Sequence, residues 1–336
     1  MKLSRESIFI SSIRAFFNTL LGTIGVVIAI IPIFILFSIL SSTDQKQGTK
    51  NKLEILPDLD GNTKTLALNS PAILQLDITG VIGKAHLTAR DFNYQLIESR
   101  KGLLKNNRVK AILLNINTPG GSANDSDDMY RNLLAYKKKY NVPIYAYVDG
   151  FCASGGFYIA CACDKIYASP CSIIGSVGSL LGPFFNFTKI MDTYGIESKT
   201  VTDGKDKDMM SPFRKWKPDE DASLKVINEY VYQRFVNIVA KGRNIDKDKI
   251  INEYGAHVFD GEKAQSIGYI DIGNSSYDTA LEDLLEQAKI NKDKHYQVVT
   301  LYPKKMWYYP FLSQTKMFFE TLLKELFLST KYINSK

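Results

Sequence analysis

Asp149 to Ser179 reads DGFCASGGFYIACACDKIYASPCSIIGSVGS, and it follows Ile144-Tyr145-Ala146-Tyr147-Val148, an apolar run with the composition of a buried strand. The small residues Ala153-Ser154-Gly155-Gly156 then open a predicted helix. A serine on a strand-to-helix turn projects its hydroxyl into a pocket, and the amides of a helix's first turn have no partner inside the helix. That layout suits an acyl-transfer nucleophile beside an oxyanion hole.

Outward from this stretch, strands and helices alternate. Ala72 to Ile78 and Val109 to Ile116 are predicted strands, the second a continuous apolar run suited to a strand covered on both faces. Helical spacing covers Leu87 to Lys105, Asp125 to Lys139 and Ser154 to Cys163. Lys165 to Ala168 and Ser172 to Ser179 supply a fourth unit, followed by a helix over Phe187 to Tyr194, a short strand over Glu197 to Val201 and a charged loop over Asp203 to Pro218. A long helix, Asp219 to Lys241, has apolar positions at Leu224, Ile227, Val231, Phe235 and Ile238, and two more helices are predicted over Asn244 to Tyr254 and Gly261 to Ile267. Such alternation predicts an α/β fold of repeated right-handed parallel β-α-β units.

The ends differ from this middle. No charge interrupts Ala15 to Thr43, and Leu20 to Leu40 is rich in Ile, Val, Leu and Phe, enough for the roughly 20 apolar residues that cross a bilayer as a helix. The run is longer than the apolar core of a cleaved signal peptide. Lys2, Arg5 and Arg14 precede it, so the positive-inside rule predicts a single-pass anchor with the N-terminus cytoplasmic and the catalytic domain extracytoplasmic. The expected organisation is a cytoplasmic N-terminus over 1–14, a transmembrane segment over 15–43, a polar linker over 44–70, a catalytic domain over 71–290 and an amphipathic, aromatic-rich tail over 291–336. In that tail Lys304 to Phe311 sets cations beside aromatics and Met317 to Phe327 has a broad apolar face, a composition suited to lipid, a partner subunit or its own domain.

The net charge of +7 is spread through mixed Lys, Asp and Glu, so the basic stripe that nucleic-acid binding requires is not expected. The four cysteines, Cys152, Cys161, Cys163 and Cys171, could pair in an oxidising compartment but read in preference as small packed side chains; lacking C-x-x-C spacing they predict no metal, and no organic cofactor is expected.

Two glycine pairs each follow a predicted buried strand: Thr118-Pro119-Gly120-Gly121-Ser122 and Ala153-Ser154-Gly155-Gly156. The carboxyl ends of neighbouring parallel strands share one rim, where ligands bind, so the amides of Gly121 and Gly155 are expected to converge on one substrate oxygen. A serine nucleophile needs a base. Nothing in their spacing aims His86, His257 or His295 at Ser154, and a desolvated lysine is the alternative, with Lys189, Lys199, Lys205 and Lys207 as candidates that spacing does not separate.

Five motifs in order add a resemblance: Asn117 to Ser122, Ala153 to Ala160, Ile174 to Gly178, Gly204 to Pro212 and Val258 to Ala264. Over Pro71 to Gly273 the chain resembles the signal peptide peptidase A family of serine peptidases, whose fold is similar to crotonase and Clp protease. The resemblance implies Ser154 as nucleophile, Lys207 as general base, Ser176 as the serine that orients the lysine amine, and Gly121 and Gly155 as oxyanion-hole donors. It also implies a homo-oligomer on the membrane, signal-peptide remnants or other membrane-derived peptides as substrates, and, in this single-copy form, Ser154 and Lys207 from one chain. Two rival readings are a crotonase-type acyl-CoA enzyme and a catalytically silent membrane scaffold.

Overall fold

The computed structural model describes residues 13–23, 25, 52–67, 69–291 and 295–302. Of the expected membrane segment, 15–43, it describes helical residues 15–23 and 25, and the rest lies outside the described residues, as does the tail beyond 302. Among the described residues no helix is long and apolar enough to cross a membrane. The chain divides into two units, Met1–Lys50 and Asn51–Lys336, and the sheet belongs to the second.

The predicted alternation forms around β2 (Ala72–Thr79), α1 (Ala89–Glu98), β3 (Val109–Thr118), α2 (Ala123–Tyr140), β4 (Ile144–Ala153) and α3 (Gly155–Ala160). Polar side chains start the longer helices: Thr88 Oγ1 accepts from the Asp91 amide and Ser122 Oγ from the Asp125 amide. β5 (Lys165–Ala168) and β6 (Ile173–Gly175) follow, then α4 (Thr188–Tyr194), α5 (Ala222–Arg243), a π-helical turn (Lys249–Tyr254), β7 (Val258–Phe259), α6 (Gly261–Ser266) and α7 (Tyr277–Gln287).

β2, β3, β4, β5 and β6 pair in parallel, as right-handed β-α-β units require. Alternate side chains of β3 enter opposite cores: Ile112 and Leu114 pack with Phe92, Met129 and Leu133 of α1 and α2, while Ala111 and Leu113 pack with Leu281 and Leu284 of α7. Both faces being covered explains the continuous apolar run.

Three expectations change. Residues 52–56 of the expected linker form β1 (Lys52–Leu56), and residues 297–302 of the expected tail form β8 (Gln297–Tyr302); β8 pairs in parallel with β2, and β1 closes on β8 antiparallel. Val298, Val299 and Leu301 are buried there, so the sheet's apolar edge, rather than chain composition, sets the domain boundary. Glu197 to Val201 is not a strand, and Val201 is 86% exposed: no neighbouring edge offers it hydrogen bonds. The long helix α5 buries Phe235, Val236, Ile238 and Val239 near its end but leaves Val226, Ile227 and Tyr230 exposed.

Candidate active site

The carboxyl ends of β3, β4 and β6 form one rim. Thr118 is in register with Cys152, and Ala153 with Gly175, which sets the Gly120-Gly121 turn, Ser154 and the Gly175-Ser176 turn side by side. Ser154 links β4 to α3 at φ 51°, ψ −119°, a conformation that a serine adopts only at a cost of order 1–3 kcal/mol. Its amide donates to the Gly175 carbonyl at 2.9 Å. Ser176 is likewise at positive φ, 56°, and its amide donates to the His257 carbonyl at 2.8 Å. His257 thus supports the second turn through its backbone.

Two glycines let the turns approach. A Cβ on Gly120, at φ 99°, would stand 2.7 Å from Ser154 Cβ and 2.9 Å from the Gly155 amide nitrogen; one on Gly121 would stand 2.2 Å from the Ile82 carbonyl oxygen. Only glycine fits such contacts. The buried Thr118 hydroxyl fixes the same turn, accepting from the Gly120 amide at 3.0 Å and donating to the Gly80 carbonyl. Neither the Gly121 nor the Gly155 amide has an acceptor among the described residues, and the Ser154 hydroxyl makes no hydrogen bond there. The hydroxyl and both amides are thus unengaged on adjoining turns; attack on a carbonyl needs groups of these kinds brought together.

α3 is held from behind. Tyr158 donates to Asp127 of α2, and Arg234 of α5 and Arg131 bind the same carboxylate at 2.6 and 2.8 Å. Burial pushes the Asp127 carboxyl upward, but hydrogen bonds from Tyr158, Arg131 and Arg234 outweigh it and hold it below its usual range. Burial and the bond to Asp127 both raise the Tyr158 phenol.

Lys207 is exposed, and among the described residues its ammonium neither pairs with an acid nor reaches Ser154 or Ser176. Lys189, Lys199 and Lys205 are exposed as well. The loop of Lys207 is nonetheless built: Arg214 grips Asp208 with Nε at 2.6 Å and Glu220 with Nη2 at 2.6 Å, and Glu220 accepts from the Met210 amide at 3.4 Å. The guanidinium holds both carboxyls below the usual range. Asp206 and Met210, flanking Lys207, sit at positive φ.

All four cysteines are free, with Cys152, Cys161 and Cys163 buried and Cys171 exposed. Burial pushes the Cys161 thiol up to about 12. The buried three are inert packing residues. Among the described residues no group of His, Cys, Asp or Glu is arranged to hold a metal.

The model of peptidase family S49 matches residues 136–291. A provisionally named signal peptide peptidase SppA of Enterococcus faecium is 31% identical over 283 residues, covering 80% of each chain. The chain belongs to the signal peptide peptidase A family. Protease 4 of Salmonella typhi is 31% identical over 185 residues, 55% of this chain and 29% of that one. A Clp protease subunit mutant of Listeria monocytogenes is a distant structural neighbour, with 16% identity, a TM-score of 0.39, and coverage of 63% of this chain and 95% of its own. Family membership makes the chain a serine peptidase and sets aside the acyl-CoA and scaffold readings. Sequence reasoning missed Thr118, the Asp127 anchor and the Arg214 clamp; the one available signal was the regular Asp208, Arg214, Glu220 spacing, hidden in a charged loop.

Proposed function

We propose that the chain is a membrane-anchored endopeptidase in which Ser154 attacks a peptide carbonyl and Lys207 is the base. The observation that carries the nucleophile assignment is the strained Ser154 turn, with its unengaged hydroxyl beside the free Gly121 and Gly155 amides. Neutral Lys207 takes the hydroxyl proton as the Oγ–carbonyl bond forms, Ser176 orients the amine, and the two amides stabilise the oxyanion. The protonated lysine then gives its proton to the leaving amine, and water, deprotonated by the same lysine, releases the acyl group.

Lys207 meets Ser154 on assembly, from a neighbouring copy rather than its own chain. Support comes from its exposed ammonium, which has no partner among the described residues, and from the apolar arm that carries it. Leu180, Phe185 and Tyr194 are 87, 64 and 76% exposed, and α4 has no buried residue, an apolar surface larger than a solitary chain keeps. The relatives' name supports signal-peptide remnants and other membrane-derived peptides as substrates. The uncharged run from Ala15 to Thr43 behind Lys2, Arg5 and Arg14 supports an anchor with the catalytic domain outside the cytoplasm.

The test is turnover of a fluorogenic peptide by folded Ser154→Ala and Lys207→Ala enzymes. Each should lose at least about 10³-fold in kcat, since nucleophile and base act as a unit; near-normal turnover by either variant refutes the dyad.

A further inference from the structure

At the opposite, amino-terminal rim of the sheet lies a cavity of about 630 Å³, lined among others by Arg100, Lys110, Lys137, Lys139, Lys289 and Asp164. That is within the roughly 300–1,000 Å³ of small-molecule sites. Helices run antiparallel to the strands they follow, so α1, α2 and α7 all end near this rim, and cations there in part complement helix carbonyl ends. The magnitudes do not balance. Three helix ends are worth about half a negative charge each, and Asp164 adds one, against five cations; a clear positive surplus remains. Nor is the cluster the property of one helix end. Lys137 and Lys139 close α2, but Arg100 follows α1, Lys110 opens β3 and Lys289 follows α7.

Of these five cations, Lys137 alone has an acidic partner among the described residues, Asp164 at 2.5 Å. Arg100 is set like a wall of the cavity. Its Cζ lies 4.7 Å from the ring centre of Tyr136 and 4.0 Å from that of Tyr140, and its Nη1 donates to the Val109 carbonyl at 3.0 Å. Its Nε and Nη2 are buried without a hydrogen-bond partner. Lys139 Nζ sits 5.3 Å from the centre of the Tyr140 ring. The ligand-facing cations are then the ammonium groups of Lys110, Lys139 and Lys289, exposed and without an acidic partner among the described residues, with the stacked Arg100 adding positive charge behind them; flexible ammonium groups bind phosphate oxygens as point charges.

We propose that this cavity binds a phosphate monoester or diphosphate group, carried by a soluble metabolite or by a lipid headgroup. The site is separate from the serine rim, and the proposal holds whatever the base at Ser154.

The experiment uses the full chain in neutral detergent. Inorganic pyrophosphate is titrated by calorimetry, and micelles doped with phosphatidic acid, or with phosphatidylcholine as reference, are followed by native mass spectrometry. The comparison is with Lys110→Glu/Lys289→Glu, which removes two exposed cations, and with Lys247→Glu, an exposed lysine that does not line the cavity. Saturable pyrophosphate binding weakened at least tenfold by the double variant, and unchanged by Lys247→Glu, supports a soluble ligand. The same pattern for phosphatidic acid over phosphatidylcholine supports a headgroup. No saturable binding of either probe, or equal binding by wild type and double variant, overturns the proposal.

Discussion

At the scale of the residue, Ser154, the proposed nucleophile, carries a conformational cost. Its φ of 51° and ψ of −119° suit glycine far better than any side chain. Ser154→Gly should therefore unfold at higher temperature than Ser154→Ala, by about 1 kcal/mol of stability, while both are inactive. Differential scanning calorimetry of the pair checks this, and equal stabilities would mean that the turn is unstrained. A second residue-scale outcome concerns the thiols: iodoacetamide should alkylate Cys171 in the native enzyme and spare Cys152, Cys161 and Cys163 until it unfolds, as read by peptide mass mapping. Ser154 and both glycine turns were legible because an apolar run that stops at small residues marks a strand's carboxyl end. Lys207 was not legible from spacing. A lysine in a run of alternating charges looks solvated, and in the isolated chain it is; the family motif alone singles it out.

Among the elements, the loop from Gly204 to Glu220 is placed by ionic groups rather than by apolar packing, whereas the short helix α3, buried throughout, adds an ionic anchor to its apolar contacts. Arg214 bridges Asp208 and Glu220 on either side of a loop that has few buried side chains. Arg214→Gln should lower kcat at least tenfold at unchanged protein fold, because a base displaced by an ångström loses much of its effect; circular dichroism with steady-state kinetics separates the two effects. α3 depends on Asp127. Its carboxyl lies below its unfolded value, so its contribution is present above the unfolded pKa of about 3.9 and is lost as pH falls through the lower folded value. Asp127→Asn should be less stable near neutrality yet lose less stability on acidification than wild type, as read by melting temperature against pH. Strands β2 to β5 were legible because burial on both faces writes a continuous apolar run. β1 and β8 were hidden because five- and six-residue strands near the two ends of the chain look like linker and tail, and pairing between residues some 245 positions apart leaves no local trace.

Across the whole molecule, the sheet with its covered faces is self-sufficient, whereas the arm over Leu180 to Tyr230 exposes apolar side chains and Lys207 together. A surface of this kind predicts assembly, with Lys207 of one copy serving Ser154 of the next. Mixing Ser154→Ala and Lys207→Ala chains, each inactive alone, should then restore up to about a quarter of wild-type turnover after random reassembly; a mixture that stays inactive would place both residues in one chain. Mapping the covalent adduct of a fluorophosphonate on the assembled enzyme by mass spectrometry decides whether Ser154 is a nucleophile made reactive by Lys207. The expected result is one adduct per chain at Ser154, formed at least about 10²-fold more slowly in Lys207→Ala; an adduct on another residue, or an unchanged rate in that variant, would contradict it.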